Sequence, residues 1–262
     1  QNPRAKTEYE DNYWAEAIDP DGTKRFLTEE REIAIKNKHA MDIEYVNQKE
    51  PGRILDAGAG ELQYRELCSH LIYVSQDFGK YTGIGDSIGL QKDRKWEQDN
   101  LDIISDITSI PEESSSFDVI MCIEVIEHVP DPMAAIKELT RLLKPGGELI
   151  LTAPFCSLSH FTPYYYYSGF GRHFYEYALE GYEILEVDYN GNFYEWLAQE
   201  LRRIPKVSEK YGDGKLPFYF KLSLSLMLKV LNFLSSRNKN SEDLLCYGLH
   251  VRAKKLNKVK SM

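Results

Sequence analysis

The stretch Arg53-Ile54-Leu55-Asp56-Ala57-Gly58-Ala59-Gly60 leaves the chain few ways to fold around it. An apolar run that ends on an acid and then on two glycines spaced by one residue reads as a buried strand turning sharply under a ligand. Glycine suits that turn because it tolerates positive φ and carries no Cβ, so backbone N–H groups can approach a bound molecule closely. The motif alone fits a ligand cradle and a plain turn equally, and the signals that follow it decide between them.

A second β-rich run, Leu71-Ile72-Tyr73-Val74, ends at Gln76-Asp77, placing an acid 21 residues beyond Asp56. In nucleotide-binding α/β sheets a carboxylate about 20 residues on reaches a ribose diol. Ile103-Ile104 runs into Ser105-Asp106-Ile107, and the run Phe117-Asp118-Val119-Ile120-Met121-Cys122 ends at Glu124. Four strand ends thus bring acids or glycines to the edge where open α/β sheets bind ligands.

The best-signalled helix follows. Asp131 is a good N-cap, Pro132 suits the first helical position, and Ala135, Ile136, Leu139, Leu142 and Leu143 form one apolar face. Lys144-Pro145-Gly146-Gly147 stops it, and Leu149-Ile150-Leu151-Thr152-Ala153-Pro154 has the continuous apolar character of a central parallel strand. Strands alternating with helices in this rhythm predict a doubly wound α/β sheet. A charged helix is expected within 28–46, as part of an N-terminal helical segment over 1–50. The main domain is expected to occupy 51–262. Between Phe78 and Asn100 the usual helix is replaced by a glycine-rich loop carrying Tyr81 and Trp96, either stacking on a ligand or filling the space of the missing helix.

Composition narrows the function. With 262 residues, 42% of them hydrophobic, the chain can bury one sizeable core, and a net charge of −9 argues against a nucleic-acid groove as its main working surface. Cys68, Cys122, Cys156 and Cys246 are widely spaced, so free thiols and a cytoplasmic location are expected. No zinc pattern occurs, and no metal is expected.

The ordered set from Ile54-Leu55-Asp56-Ala57-Gly58-Ala59-Gly60 through Asp77, Asp106-Ile107, Phe117-Asp118-Val119-Ile120 and Glu127-His128-Val129 to Leu143-Lys144-Pro145-Gly146-Gly147-Glu148-Leu149 resembles the class I S-adenosylmethionine-dependent methyltransferases. The resemblance covers roughly residues 50–190. It implies a Rossmann-like, seven-stranded sheet with an antiparallel last strand, and S-adenosylmethionine as cofactor with S-adenosylhomocysteine as product. It places Asp56, Gly58 and Gly60 on the methionine part, Asp77 on the ribose hydroxyls, and Asp106 with the Ile107 backbone on the adenine. Ala57, Gln76, Ile123 and Glu124 complete that edge. Leu62 stands where the family often has a third glycine. The chemistry agrees, because a sulfonium beside an ammonium group favours the carboxylates of this edge, whereas a dinucleotide pyrophosphate needs a more cationic cradle.

If the acceptor is a hydroxyl, something must take its proton as the new bond forms. Glu127 and His128 after the fourth strand and His160 after the fifth are the candidates, with His160 preferred. The run 164–167 of four tyrosines, followed by Arg172, reads as an acceptor wall, with Tyr164, Tyr165, Tyr167 and Arg172 as its contacts. The segment from Ala153-Pro154-Phe155 through Tyr167-Ser168-Gly169-Phe170, together with Asp19-Pro20-Asp21-Gly22, resembles bacterial methyltransferases of polysaccharide and O-antigen assembly, which implies a sugar or glycan acceptor. The alternatives are a small-molecule methyltransferase of secondary metabolism and a non-catalytic cofactor-binding scaffold. A helix is expected over 192–203, then a helical insertion over 205–243. Its stretch 216–234 is amphipathic and is read as core packing, a dimer contact or a peripheral membrane surface.

Overall fold

The computed structural model describes residues 52–91, 94–96 and 100–257, so the expected N-terminal helix and the segment 1–50 lie outside the described residues. Seven strands form one sheet: β1 (Arg53–Ala57), β2 (Ile72–Asp77), β3 (Ile103–Ile104), β4 (Phe117–Ile123), β5 (Leu143–Pro154), β6 (Tyr182–Asn190) and β7 (Gly248–Lys255). Their order is β3-β2-β1-β4-β5-β7-β6. β1 to β5 pair in parallel, whereas β7 runs antiparallel to both neighbours, as expected. The four helices among the described residues are α1 (Pro132–Leu142), α2 (Arg172–Ala178), α3 (Phe193–Tyr211) and α4 (Phe220–Ser235).

The central strands are apolar throughout because both sheet faces are covered. Leu55, Ile120, Cys122, Leu149 and Leu151 point into one cluster with Ala135, Ile136, Leu139 and Leu142 of α1. Their neighbours in sequence, Ile54, Val119, Met121 and Ile150, join Tyr64 and Cys68 on the other face. This two-residue alternation is what a pleated strand dictates. α1 begins as expected, with Asp131 Oδ1 accepting from Ala134 N at 2.9 Å.

The segment 144–147 does more than stop a helix. β5 starts at once with Leu143 opposite Phe117, and pairing resumes with Glu148 opposite Val119, so these four residues bulge out of the ladder. Lys144 Nζ donates to both carboxylate oxygens of Asp118 at 2.8 Å. Gly147 is needed because a Cβ there would lie 2.8 Å from the Asp118 carbonyl oxygen.

α3 carries a full capping box: Asn192 Oδ1 accepts from Tyr194 N and Glu195 N, and Glu195 Oε2 accepts from Asn192 N. It continues past Pro205 to Tyr211, eight residues beyond the expected end at Arg203. α4 then packs Leu224, Leu228 and Leu231 on Ala198 of α3, which accounts for part of its apolar pattern. Leu222, Leu226 and Phe233 remain more than half exposed. No helix among the described residues is long and apolar enough to cross a membrane. All four cysteines are free thiols.

Candidate active site

Parallel pairing of β1 to β4 brings their carboxyl ends to one edge, and the expected acids converge there. Asp77 is buried, and its carboxylate accepts from Gly60 N at 3.0 Å and from Gly79 N at 2.9 Å. It thereby holds the glycine turn in place, with oxygen lone pairs left over for a diol. Gly58 N and Ala59 N donate to the Gln76 carbonyl oxygen at 2.8 and 2.9 Å, and the Gln76 side chain donates to Ser105 O. Gly58 has φ +81°, and a Cβ there would meet Val125 Cγ2 at 2.4 Å. Leu62 also takes positive φ, 61°, supplying with a leucine the backbone conformation that a third glycine would adopt freely.

Asp56 is 2% exposed. Burial pushes its carboxyl up to about 7, opposed by the Tyr73 hydroxyl, which donates to Oδ2 at 2.5 Å, and reinforced by the negative charge of Asp77. Asp106 accepts from Thr108 N and Oγ1, and these hydrogen bonds hold its carboxyl below the usual range. Ile107 beside it is buried. Ile123 ends β4 and Glu124 leaves it with φ +55°, a rare conformation for a non-glycine residue, which tends to accompany functional sites. Glu124 Oε1 accepts from Thr152 Oγ1 at 3.0 Å.

One turn later the chain places Glu127 and His128 in a 3₁₀ segment, Ile126–His128. His160, from the loop after β5, lies against them, with its ring centroid 4.8 Å from that of His128. All three catalytic candidates therefore meet in one cluster. Glu127 is fully buried, and burial together with the charge of Glu124 pushes its carboxyl well above the usual range. Burial lowers His128 to about 3 and His160 to about 4, so both rings are neutral at neutral pH. His128 Nδ1 lies 2.6 Å from Tyr164 O and His160 Nδ1 lies 2.9 Å from Leu158 O. A carbonyl only accepts, so each Nδ1 carries the proton and each Nε2 the lone pair.

A cover of aromatic rings closes over this edge. Tyr81 is buried edge-on to Trp96 at 5.1 Å and Phe161 at 5.2 Å, and a Cβ at Gly60 would touch the Trp96 ring at 3.4 Å. Tyr81 therefore fills the space of the missing helix, whereas Trp96 lies directly on the glycine turn. Phe161 N donates to Gln91 Oε1, Thr162 Oγ1 to Asp86 Oδ1, and Gly89 N to Tyr211 Oη. The far end of α3 thus ties the cover down. Nothing in the sequence pairs Tyr211 with Gly89, because 122 residues separate them.

The tyrosine run does not form the open wall expected of it. Tyr164 packs edge-on against Phe78 at 4.9 Å, Tyr165 donates to Ser157 O, and Tyr167 donates to Pro130 O. Backbone N–H groups of Tyr166 and Tyr167 hold the Glu127 carbonyl. The run therefore braces the turn that carries Glu127 and His128. Arg172, at the start of α2, is exposed and paired with Glu176 at 2.8 Å.

The sheet order, the glycine turn and the buried acids at the strand ends define a class I S-adenosylmethionine-dependent methyltransferase fold. Residues 55–151 match the family model described as a methyltransferase domain. The chain is 33% identical over 129 residues to a ubiquinone biosynthesis O-methyltransferase of Coxiella burnetii, covering 47% of this chain and 46% of that protein. It is 56% identical over 41 residues to one of Xanthomonas oryzae pv. oryzae, covering 16% and 17%. The chain thus spans at most about half the length of these curated relatives. A putative sarcosine dimethylglycine methyltransferase from Galdieria sulphuraria shares the fold with a TM-score of 0.53 at 16% identity, over 94% of this chain and 97% of that one. A SAM-dependent methyltransferase from Archaeoglobus fulgidus does so at 0.51 and 16%, over 85% and 94%. The buried acids Asp56 and Asp77 fit this cofactor's cationic amino acid portion and its ribose diol.

Proposed function

We propose that the protein transfers the methyl group of S-adenosylmethionine to a hydroxyl of a small-molecule acceptor. The observation that carries this reading is the cluster of buried Glu127 and His160 with the partly buried His128, one turn beyond the acid-lined cofactor edge. Asp77 holds the ribose diol, Asp56 faces the methionine portion, and Asp106 with Ile107 frames the adenine. Methyl transfer is an in-line displacement from an already activated sulfonium, so the protein's task is to align the groups, exclude water and relieve the acceptor of its proton. The neutral imidazoles offer lone pairs for that last role, and the aromatic cover excludes water.

For the acceptor, the tyrosines from which a sugar site was expected are committed to packing and to backbone contacts. The curated relatives are named for O-methylation in ubiquinone biosynthesis, which puts a phenolic hydroxyl ahead of a glycan one. Calorimetric titration with S-adenosylhomocysteine, with NAD as control, tests the cofactor: micromolar binding of the former alone, weakened by Asp77→Ala, is expected. Transfer of labelled methyl to catechols, phenols and sugars then tests the acceptor. Binding of NAD alone, or label moving only to amines, refutes the proposal.

A further inference from the structure

We propose that Glu127, His128 and His160 form a binding site for a divalent first-row transition cation, in place of the metal-free site that the sequence led us to expect. One carboxylate oxygen and one nitrogen from each ring lie within 4.8 Å of one another. Ligands of a tetrahedral cation sit about 3.4 Å apart, given metal–ligand bonds of about 2.1 Å, so the widest pair needs to close by about 1.4 Å.

Three further observations point the same way. Both carboxylate oxygens of Glu127 are buried without a hydrogen-bond partner among the described residues, and so is His128 Nε2. His128 Nε2 stands 3.6 Å from Glu127 Oε1, too far for a hydrogen bond and close enough to share an ion. A carboxylate buried in this way is costly unless it is paired or coordinates a metal. The Tyr164 and Leu158 carbonyls accept from Nδ1 of the two rings, which fixes the tautomer that presents Nε2 as a ligand. A ligating histidine almost always donates its other N–H to a carbonyl or carboxylate in just this way.

Two imidazoles and one carboxylate favour zinc, manganese, iron or cobalt over magnesium or calcium, which prefer oxygen donors. Three protein ligands also leave a coordination position open, the pattern of catalytic rather than structural sites. The role of the cation, though not its binding, rests on the methyl-transfer reading. With the cation holding the imidazole lone pairs, an acceptor hydroxyl in the open position would lose its proton more easily to a water bound beside it, and its oxygen would then attack the methyl carbon. The O–CH₃ bond forms as the CH₃–S bond breaks, and the electron pair stays on sulfur as the neutral thioether.

The test is titration of the untagged, chelator-treated protein with Co²⁺, read by its visible d–d bands and by calorimetry, with Mg²⁺ as control. Wild type is expected to bind one Co²⁺ at micromolar concentration and to prefer it to Mg²⁺. Glu127→Gln and His160→Ala are each expected to weaken binding beyond the roughly 10–100-fold that outer-shell changes cost. S-adenosylhomocysteine titrations of all three proteins report folding and the cofactor site separately. No Co²⁺ binding to wild type, a preference for Mg²⁺, or unchanged binding in variants that still take up S-adenosylhomocysteine overturns the site. Metal binding without S-adenosylhomocysteine binding to wild type would keep the site and refute the methyl-transfer reading.

Discussion

Cofactor affinity is expected to depend on pH through one buried carboxyl, Asp56. At 2% exposure, with one hydrogen bond from Tyr73, it keeps its proton up to about pH 7 in the free protein. The groups acting on it are Tyr73 and Arg65, which favour ionisation, and Asp77, which opposes it. A bound ligand that presents an ammonium group to Asp56 stabilises the ionised form, so binding must expel the proton wherever the free protein carries one. Affinity then falls about tenfold from pH 8 to pH 6, or about 1.4 kcal/mol, and is nearly flat above pH 8. At pH 6.5 about three quarters of a proton should leave per S-adenosylhomocysteine bound. Calorimetry in two buffers of different ionisation enthalpy measures that number directly. His128 and His160, held at about 3 and 4, contribute nothing in this window. Asp56→Asn should abolish the linkage. Equal dissociation constants at pH 6 and pH 8 in wild type, or heats independent of the buffer, would refute both the protonation of Asp56 and its place beside the ligand's cation.

The same carboxyl makes a stability prediction of the opposite sign to the usual acid. The unfolded chain releases this proton near pH 4 and the folded chain near pH 7, so folding stability falls as pH rises between those values, by at most about 4 kcal/mol. Asp56→Asn, which still accepts from Tyr73, should therefore melt several degrees higher than wild type at pH 8 and about equally below pH 4; equal melting at pH 8 refutes this. Gly58→Ala should destabilise by about 2 kcal/mol or more, from strained backbone and overlap with Val125, and should lose S-adenosylhomocysteine binding. Urea unfolding checks it, and a wild-type midpoint would contradict the tight turn. Trp96, one of three tryptophans, rests on Gly60, so S-adenosylhomocysteine should change the intrinsic fluorescence and Trp96→Phe should remove that change.

Much of the sheet was legible because both of its signals are local. Apolar runs mark the central strands, and an acid or glycine after each run marks the ligand edge without knowledge of pairing. The α1 cap was legible for the same reason, since Asp131 and Pro132 act on amides within one turn. What failed to show depends on register or long-range contact. The bulge at 144–147 exists because Phe117 and Val119 of β4 pair with residues on either side of it, which no property of Lys-Pro-Gly-Gly states by itself. α3 outruns its expected end, and its last turn is held by Lys210 and Tyr211 at Gly89, a partner more than 120 residues away in sequence. The role of the tyrosine run was not legible, because composition does not say whether a phenol's hydroxyl meets a ligand or a backbone carbonyl.

The region with the least sequence signal explains why the site is closed. Where a helix usually follows β2, glycines let the loop backbone lie directly on the loop after β5: a Cβ at Gly85 would stand 2.8 Å from Thr162 O, and one at Gly89 2.2 Å from Ser159 O. A helix could not come so close, because its side chains would stand between the backbones. The contact seats Phe161 and His160 beneath Tyr81 and Trp96, so one cover spans both the glycine turn and the Glu127 cluster. On the proposed reading, cofactor and acceptor chemistry would share this one cover. A change at Gly89 should disturb S-adenosylhomocysteine binding and the seating of His160 together, although the residue belongs to neither set of contacts.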